Sequence, residues 1–205
     1  MITGVIDYGA GNQRSIRNAL DALGVEHSTV ASAADLEGIG ALIFPGVGAF
    51  GDSMSNLDSR GLVSPIREWI AADRPFLGIC IGFQLLFEGS EESPGAAGIG
   101  AFEGQVVRFP ENHSEKVPHM GWNRLSLTKP DSPIWAGLGD EPHMYFVHSY
   151  FPAPADSELV ASTTDYGVEF TSSIQHGNLT ATQFHPEKSQ AAGLRLIGNF
   201  IRQFV

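Results

Sequence analysis

The sequence predicts a single α/β domain, with a central, mostly parallel sheet flanked by helices and additional antiparallel strands in the second half. In the first half, short apolar strands alternate with helix-period segments, the pattern of a parallel sheet covered on both faces. In the second half, strand-like segments follow one another closely with turn residues between them. The chain has 205 residues, enough for one sizeable core, and shows no internal repeat.

Residues 4–6 form the first apolar strand, followed by the turn Tyr8-Gly9-Ala10-Gly11. A helix over 12–23 places Ile16, Ala19, Leu20 and Leu23 on one face, with Gly24 past its end. Residues 26–30 make a weak strand, and 41–44 a stronger one stopped by Pro45-Gly46. A helix over 62–72 carries Leu62, Ile66, Trp69 and Ile70; Arg74-Pro75 closes it, and 76–79 is the next strand. Gly82 opens a helix running to residue 87. Residues 89–100, rich in glycine, alanine, serine and glutamate, read as a mobile surface loop. The later strands are expected at 106–107, 145–151, 159–162, 170–175 and 179–184, with His176-Gly177-Asn178 as a hairpin turn. A closing helix over 190–204 turns Leu194, Ile197, Ile201 and Phe204 to the core.

Twelve lysines and arginines stand against 23 aspartates and glutamates, a formal net charge of −11. Such a surface repels polyanions, which argues against sequence-independent nucleic-acid binding and against docking on anionic membranes. A single cysteine permits no internal disulfide and fits a reducing compartment. The first residues lack a basic leader, and no apolar run reaches the ~18 residues of a membrane span. Asn178-Leu179-Thr180 matches a glycosylation sequon but carries no weight without a secretory signal. A cytoplasmic location is expected. The histidines and the cysteine have no metal-ligand spacing, so no metal and no cofactor are expected.

The chemistry centres on Gly78-Ile79-Cys80-Ile81-Gly82. Gly-x-Cys-x-Gly between a strand and a helix is the setting of a nucleophile elbow, in which a tight turn lifts the side chain at the strand's carboxyl end. Glycines on either side let strand and helix pack closely, and a helix N-terminus aimed at the sulfur favours thiolate. The plain alternative is a small buried hydrophobe, and a base decides between them. Among His27, His113, His119, His143, His148, His176 and His185, only the last has an acid held near it by rigid local geometry, in Gln183-Phe184-His185-Pro186-Glu187. Proline fixes the chain between the two polar side chains, and a general base needs its second ring nitrogen held in this way. Cys80, His185 and Glu187 together would support covalent acyl transfer, with Pro45-Gly46-Val47-Gly48 supplying donors for an oxyanion.

Gly-x-Cys-x-Gly with a later His-Pro-Glu resembles the class I, triad-type glutamine amidotransferases, which have a flavodoxin-like fold, and residues 1–205 would be one such type-1 domain. Further segments are Asp7 to Asn12, Pro45 to Phe50, Val117 to Asn123, Tyr145 to Tyr150 and Gln183 to Ser189. Together they are similar to the glutaminase subunits of imidazole glycerol phosphate synthases, the ammonia-producing half of a histidine-biosynthesis enzyme. The resemblance implies that Cys80 is the nucleophile, with His185 and Glu187 as base and orienter. It implies that the backbone at Gly46, Val47 and Gly48 forms or gates the oxyanion hole, and that Gln84, His148 and Ser149 contact L-glutamine. Asn12, Trp122, Asn123 and Lys188 would lie toward a separate (β/α)8-barrel cyclase subunit in a heterodimer, into which ammonia passes. Ile81 and Phe83 stand where leucine and methionine are frequent in that family. An amidotransferase subunit of another pathway, or a non-catalytic module that kept the fold, are the alternatives.

Overall fold

Nearly every apolar stretch of the first half becomes a strand or helix of one sheet layer. The structure is a computed structural model describing residues 1–112 and 114–204; His113 and Val205 lie outside the described residues. In chain order, β1 (Ile2–Ile6), α1 (Gln13–Ala22), β2 (His27–Val30), β3 (Ile39–Gly46), α2 (Phe50–Ser59), α3 (Val63–Ala71), β4 (Phe76–Cys80) and α4 (Ile81–Gln84) make the alternating half. The second half comprises β5 (Gly89–Ser90), β6 (Gly104–Arg108), β7 (His119–Arg124), β8 (Ser126–Leu127), β9 (His143–His148), β10 (Tyr150–Pro154), β11 (Val160–Asp165), β12 (Glu169–His176), β13 (Leu179–Thr182) and α5 (Gln190–Arg202).

The main sheet has eight strands in the order β2-β1-β3-β4-β13-β12-β11-β8. Pairing is parallel from β2 to β13, then antiparallel through β12, β11 and β8. Strands from both halves of the chain therefore share one sheet, and the chain folds as one α/β domain. β10, β6 and β5 form a three-stranded sheet, and β7 pairs with β9. Among the described residues no helix is long and apolar enough to cross a membrane.

The central strands are buried on both faces, with every residue from Ala41 to Gly46 and from Phe76 to Cys80 buried. α1 covers the sheet with Ile16, Ala19 and Leu20. α5 does so with Leu196, Ile197, Phe200 and Ile201, whereas Leu194 and Phe204, expected on that face, are half-buried at its margin.

Several expected boundaries move, each for a tertiary reason. Pro45-Gly46 does not stop its strand: β3 continues to Gly46, because β4 pairs with it as far as Gly46↔Cys80. On its other side the β1 ladder ends at Val5↔Ile43, before the proline's missing N–H matters. The expected strand 145–151 is broken at Ser149, since β9 pairs with β7 while β10 pairs with β6 in another sheet. The expected helix 82–87 shrinks to the single turn α4. α2 was not expected at all, although Phe50, Ser53, Met54 and Leu57 have helical spacing and are buried; its glycine, serines and aspartates hide the signal.

Residues 89–100, expected as a mobile surface loop, are tied to the rest of the fold at several points. Gly89 and Ser90 pair with β6, Glu92 Oε2 accepts the Phe50 N–H (2.8 Å), and Ser93 Oγ accepts the Gly51 N–H (3.0 Å). Ile99 is fully buried, and its carbonyl accepts from Arg67 Nε (2.8 Å). Composition registers the small residues here but not these long-range partners.

Phe44 sits at the centre of this packing, edge-on to Tyr8 (5.6 Å between centroids) and to Phe76 (6.2 Å). Phe44→Ala is expected to destabilise the fold by about 3–5 kcal/mol, seen as a fall in the urea midpoint at unchanged m.

Candidate active site

Cys80 ends β4 and has φ 55° and ψ −109°, a positive-φ conformation outside the left-handed helical region that residues with a side chain seldom adopt. The strain persists because its neighbours over-determine the turn. A Cβ on Gly82 would lie 1.9 Å from the Phe44 carbonyl oxygen, and one on Gly78 2.9 Å from the Gly82 carbonyl oxygen. Strand and turn thus approach to a distance that only hydrogen permits, as the flanking glycines predict. The expected support from an extended helix N-terminus is reduced, because α4 has four residues and a correspondingly small dipole. Positive charge beside the sulfur comes instead from His185.

His185 follows β13, whose Thr182 is level with Ile79 of β4. The main chain locks it: the His185 N–H donates to the Tyr145 carbonyl (2.9 Å), and Ser189 Oγ donates to the His185 carbonyl (2.7 Å). Pro186 opens a 3-10 turn, Pro186–Lys188, that swings Glu187 back under the ring. There His185 Nδ1 donates to Glu187 Oε1 at 2.8 Å, with both side chains essentially inaccessible to solvent. Burial opposes a charge on His185. The negative charge and hydrogen bonding of the Cys80 sulfur, followed by those of Glu187, outweigh burial and raise it to about 10. Among the described residues Nε2 has no partner of full hydrogen-bond geometry, which leaves it facing the sulfur and the cavity. The structure also contains a second histidine–carboxylate pair, His27 Nε2 with Asp21 Oδ1 (3.0 Å), but Asp21 is exposed and neither residue lines the cavity.

Cys80 and His185 open into a cavity of about 420 Å³, lined also by Val47, Gly48, Ile81, Gln84, Glu92, Pro118, Val147, His148, Ser149, Tyr150 and Lys188. Gly46 lies directly behind it, paired with Cys80 across the ladder. A Cβ there would meet Ile81 Cβ at 2.7 Å and the Tyr8 hydroxyl at 2.8 Å. Burial, reinforced by the charge of Cys80, raises that hydroxyl to about 12. Gly48 has φ +109° and open space around it, so the backbone there has room to reorient, whereas Gly46 is held in the ladder beside Cys80.

Of the residues expected at glutamine, Gln84 spends both amide hydrogens inside the protein, on the Tyr150 carbonyl and on Gln183 Oε1 (3.0 Å each). His148 is likewise committed: Nδ1 donates to the Tyr150 carbonyl (2.9 Å), and Nε2 accepts from His119 Nδ1 (3.0 Å). Burial, then the neighbouring His119, lowers His148 to about 3, so the ring is neutral wall rather than a charged contact. Ser149, at the break between β9 and β10, borders the cavity directly.

Of the residues expected to face a partner, Trp122 is 46% exposed on β7, and Asn123, partly exposed beside it, donates to the Asp165 carbonyl (2.9 Å). Lys188 is exposed at the cavity mouth. Asn12 is half-buried, and its Nδ2 donates to Glu187 Oε1 (3.1 Å). Sequence reasoning assigned no role to Gln183, fully buried with Nε2 3.6 Å from Cys80 Sγ, or to Glu92, which both lines the cavity and caps α2. Gln183, a buried amide two residues before the histidine, was legible; Glu92 was not, because its partner is 42 residues away.

A family model described as glutamine amidotransferase class-I matches residues 4–204. The chain belongs to the class-I glutamine amidotransferases. It is 48% identical over 200 residues to the imidazole glycerol phosphate synthase subunit HisH of Rhodopirellula baltica, covering 98% of this chain and 96% of that protein. It is also 48% identical over 206 residues to the protein of the same name from Methylococcus capsulatus, covering 97% and 94%. Among solved structures, a glutamine amidotransferase crystal structure superposes with TM-score 0.76 at 24% identity, covering 98% of each chain. PurLQS from Thermotoga maritima gives TM-score 0.78 at 18% identity, covering 100% of this chain and 99% of that one. These two likenesses concern the fold alone.

The two buried histidines set opposite pH dependences. Below the ordinary histidine value of 6.5, the unfolded chain binds a proton that folded His148 refuses, so stability falls as pH drops toward 3. Above 6.5, folded His185 keeps a proton that the unfolded chain releases, so stability falls as pH rises toward 10. The contribution of these two histidines to stability should therefore be greatest near pH 6.5 and decline on either side. Urea midpoints measured across pH check this, with His148→Gln flattening the acid limb and His185→Gln the alkaline limb.

Proposed function

We propose that this chain is the glutaminase subunit of an imidazole glycerol phosphate synthase, hydrolysing L-glutamine and delivering ammonia to a cyclase subunit in histidine biosynthesis. The observation that carries the reading is the juxtaposition of a strained Cys80 and a Glu187-held His185 on one cavity, beside the glycine-rich end of β3. The similarity to the HisH subunits supports the pathway.

In the first step the Cys80 thiolate attacks the carboxamide carbon of glutamine. The C–N bond breaks as His185 Nε2 gives its proton to the leaving nitrogen, releasing ammonia and leaving a thioester. His185 then takes a proton from water, whose oxygen attacks the thioester carbon; glutamate leaves and the thiolate returns. Backbone N–H groups from Gly46 to Gly48 would serve the oxyanion, with Glu187 holding His185 in the required tautomer. Gln84, His148 and Ser149 shape the pocket, the first two by supporting its wall and Ser149 by direct contact.

The partner would be a (β/α)8 barrel docking over β7, where Met120 (61% exposed) and Trp122 are large apolar side chains open to solvent. Trp122, Asn123 and Lys188 would face it, with no part for nucleic acid or membrane, in the cytoplasm. The freedom at Gly48 suits a loop that this docking sets, which makes hydrolysis conditional on the partner.

Cys80→Ala is expected to abolish glutamine-dependent turnover of the complex while ammonium-dependent turnover persists; retained glutamine-dependent turnover would refute the assignment. Trp122→Ala is expected to weaken binding of the cyclase by about tenfold or more, measured by titration calorimetry.

A further inference from the structure

Asn12 stands at the N-cap of α1, the position where asparagine ordinarily bonds its own helix, yet its side chain makes no cap bond. Instead Nδ2 crosses 175 positions of sequence to reach Glu187 Oε1 at 3.1 Å. That oxygen is the one that accepts His185 Nδ1–H at 2.8 Å. Ser15 Oγ donates to Asn12 Oδ1 (2.8 Å), which fixes the amide with its N–H side toward the carboxylate. The carboxylate is buried and, among the described residues, Oε2 has no partner and the hydrogen bonds restraining the group pass through Oε1. Without Asn12 the carboxyl group would be held only by the imidazole it is supposed to orient.

We propose that Asn12 is a positioning residue for hydrolysis, extending Cys80, His185 and Glu187 by one member that fixes the carboxylate and through it the imidazole. The inference rests on the glutaminase reading above. It gives Asn12 an inward role distinct from the partner contact expected for it. Because the effect is on the orientation of the proton carrier, it belongs to the chemical step and not to glutamine binding.

The test is steady-state glutamine hydrolysis by the complex with saturating cyclase. Asn12→Ala is expected to lower kcat by about 10- to 100-fold with KM within about twofold. The dissociation constant for the cyclase and ammonium-dependent turnover should stay unchanged. Asn12→Asp keeps the size and the acceptor for Ser15 but turns an acceptor toward Glu187, and it should be at least as impaired. A melting temperature for each variant establishes that it is folded. Unchanged kcat in Asn12→Ala, activity restored merely by more cyclase, or a fully active Asn12→Asp would each overturn the proposal. A wild-type complex that fails to hydrolyse glutamine would instead refute the glutaminase reading itself.

Discussion

The site depends on one constraint: β3, β4 and β13 are adjacent, parallel and in register at their carboxyl ends. Gly46 is level with Cys80, and Thr182 is level with Ile79, so the loops leaving these strands emerge side by side. A crevice at the carboxyl ends of parallel strands is where α/β proteins place ligands. The pairing also explains the glycines, since Gly82 can pass the Phe44 carbonyl only without a side chain. The same close approach holds Cys80 in its strained conformation, so fold stability and nucleophile geometry share one packing contact.

Behind the reacting groups lies a dry polar layer that resists rearrangement. Gln84, Gln183, His148 and the Tyr150 carbonyl satisfy one another in a region with almost no solvent access. Leaving one such group unpaired costs more than its bond contributes, so the layer acts as a unit. It extends through His119 toward Asn123 on β7. By contrast, the opposite wall near Gly48 is backbone with open space around it. The cavity thus has one rigid side and one adjustable side.

Charge follows the same division. The chain carries a net −11, yet the protonated group at the site is a buried histidine held between a sulfur and a carboxylate. Its neighbour His148, equally buried but paired with neutral groups and another histidine, is driven in the opposite direction. Identical side chains in the same cavity wall acquire different roles from their partners alone.

The sequence by itself determined the fold class, the elbow around Cys80 and the His185–Glu187 pair, because each is encoded within a few residues: apolar period, flanking glycines, and a proline between histidine and carboxylate. It also placed Val47 and Gly48 just past a strand end, although Gly46 is the last residue of that strand. Only the tertiary structure decided where that strand stops, since β4 and not Pro45 sets its limit. It alone divided the run from Tyr145 to Phe151 between two sheets, anchored residues 89–100 through Glu92, and turned Asn12 inward to Glu187. These are pairings across tens to hundreds of positions, and a local pattern carries no record of which distant donor will meet which acceptor.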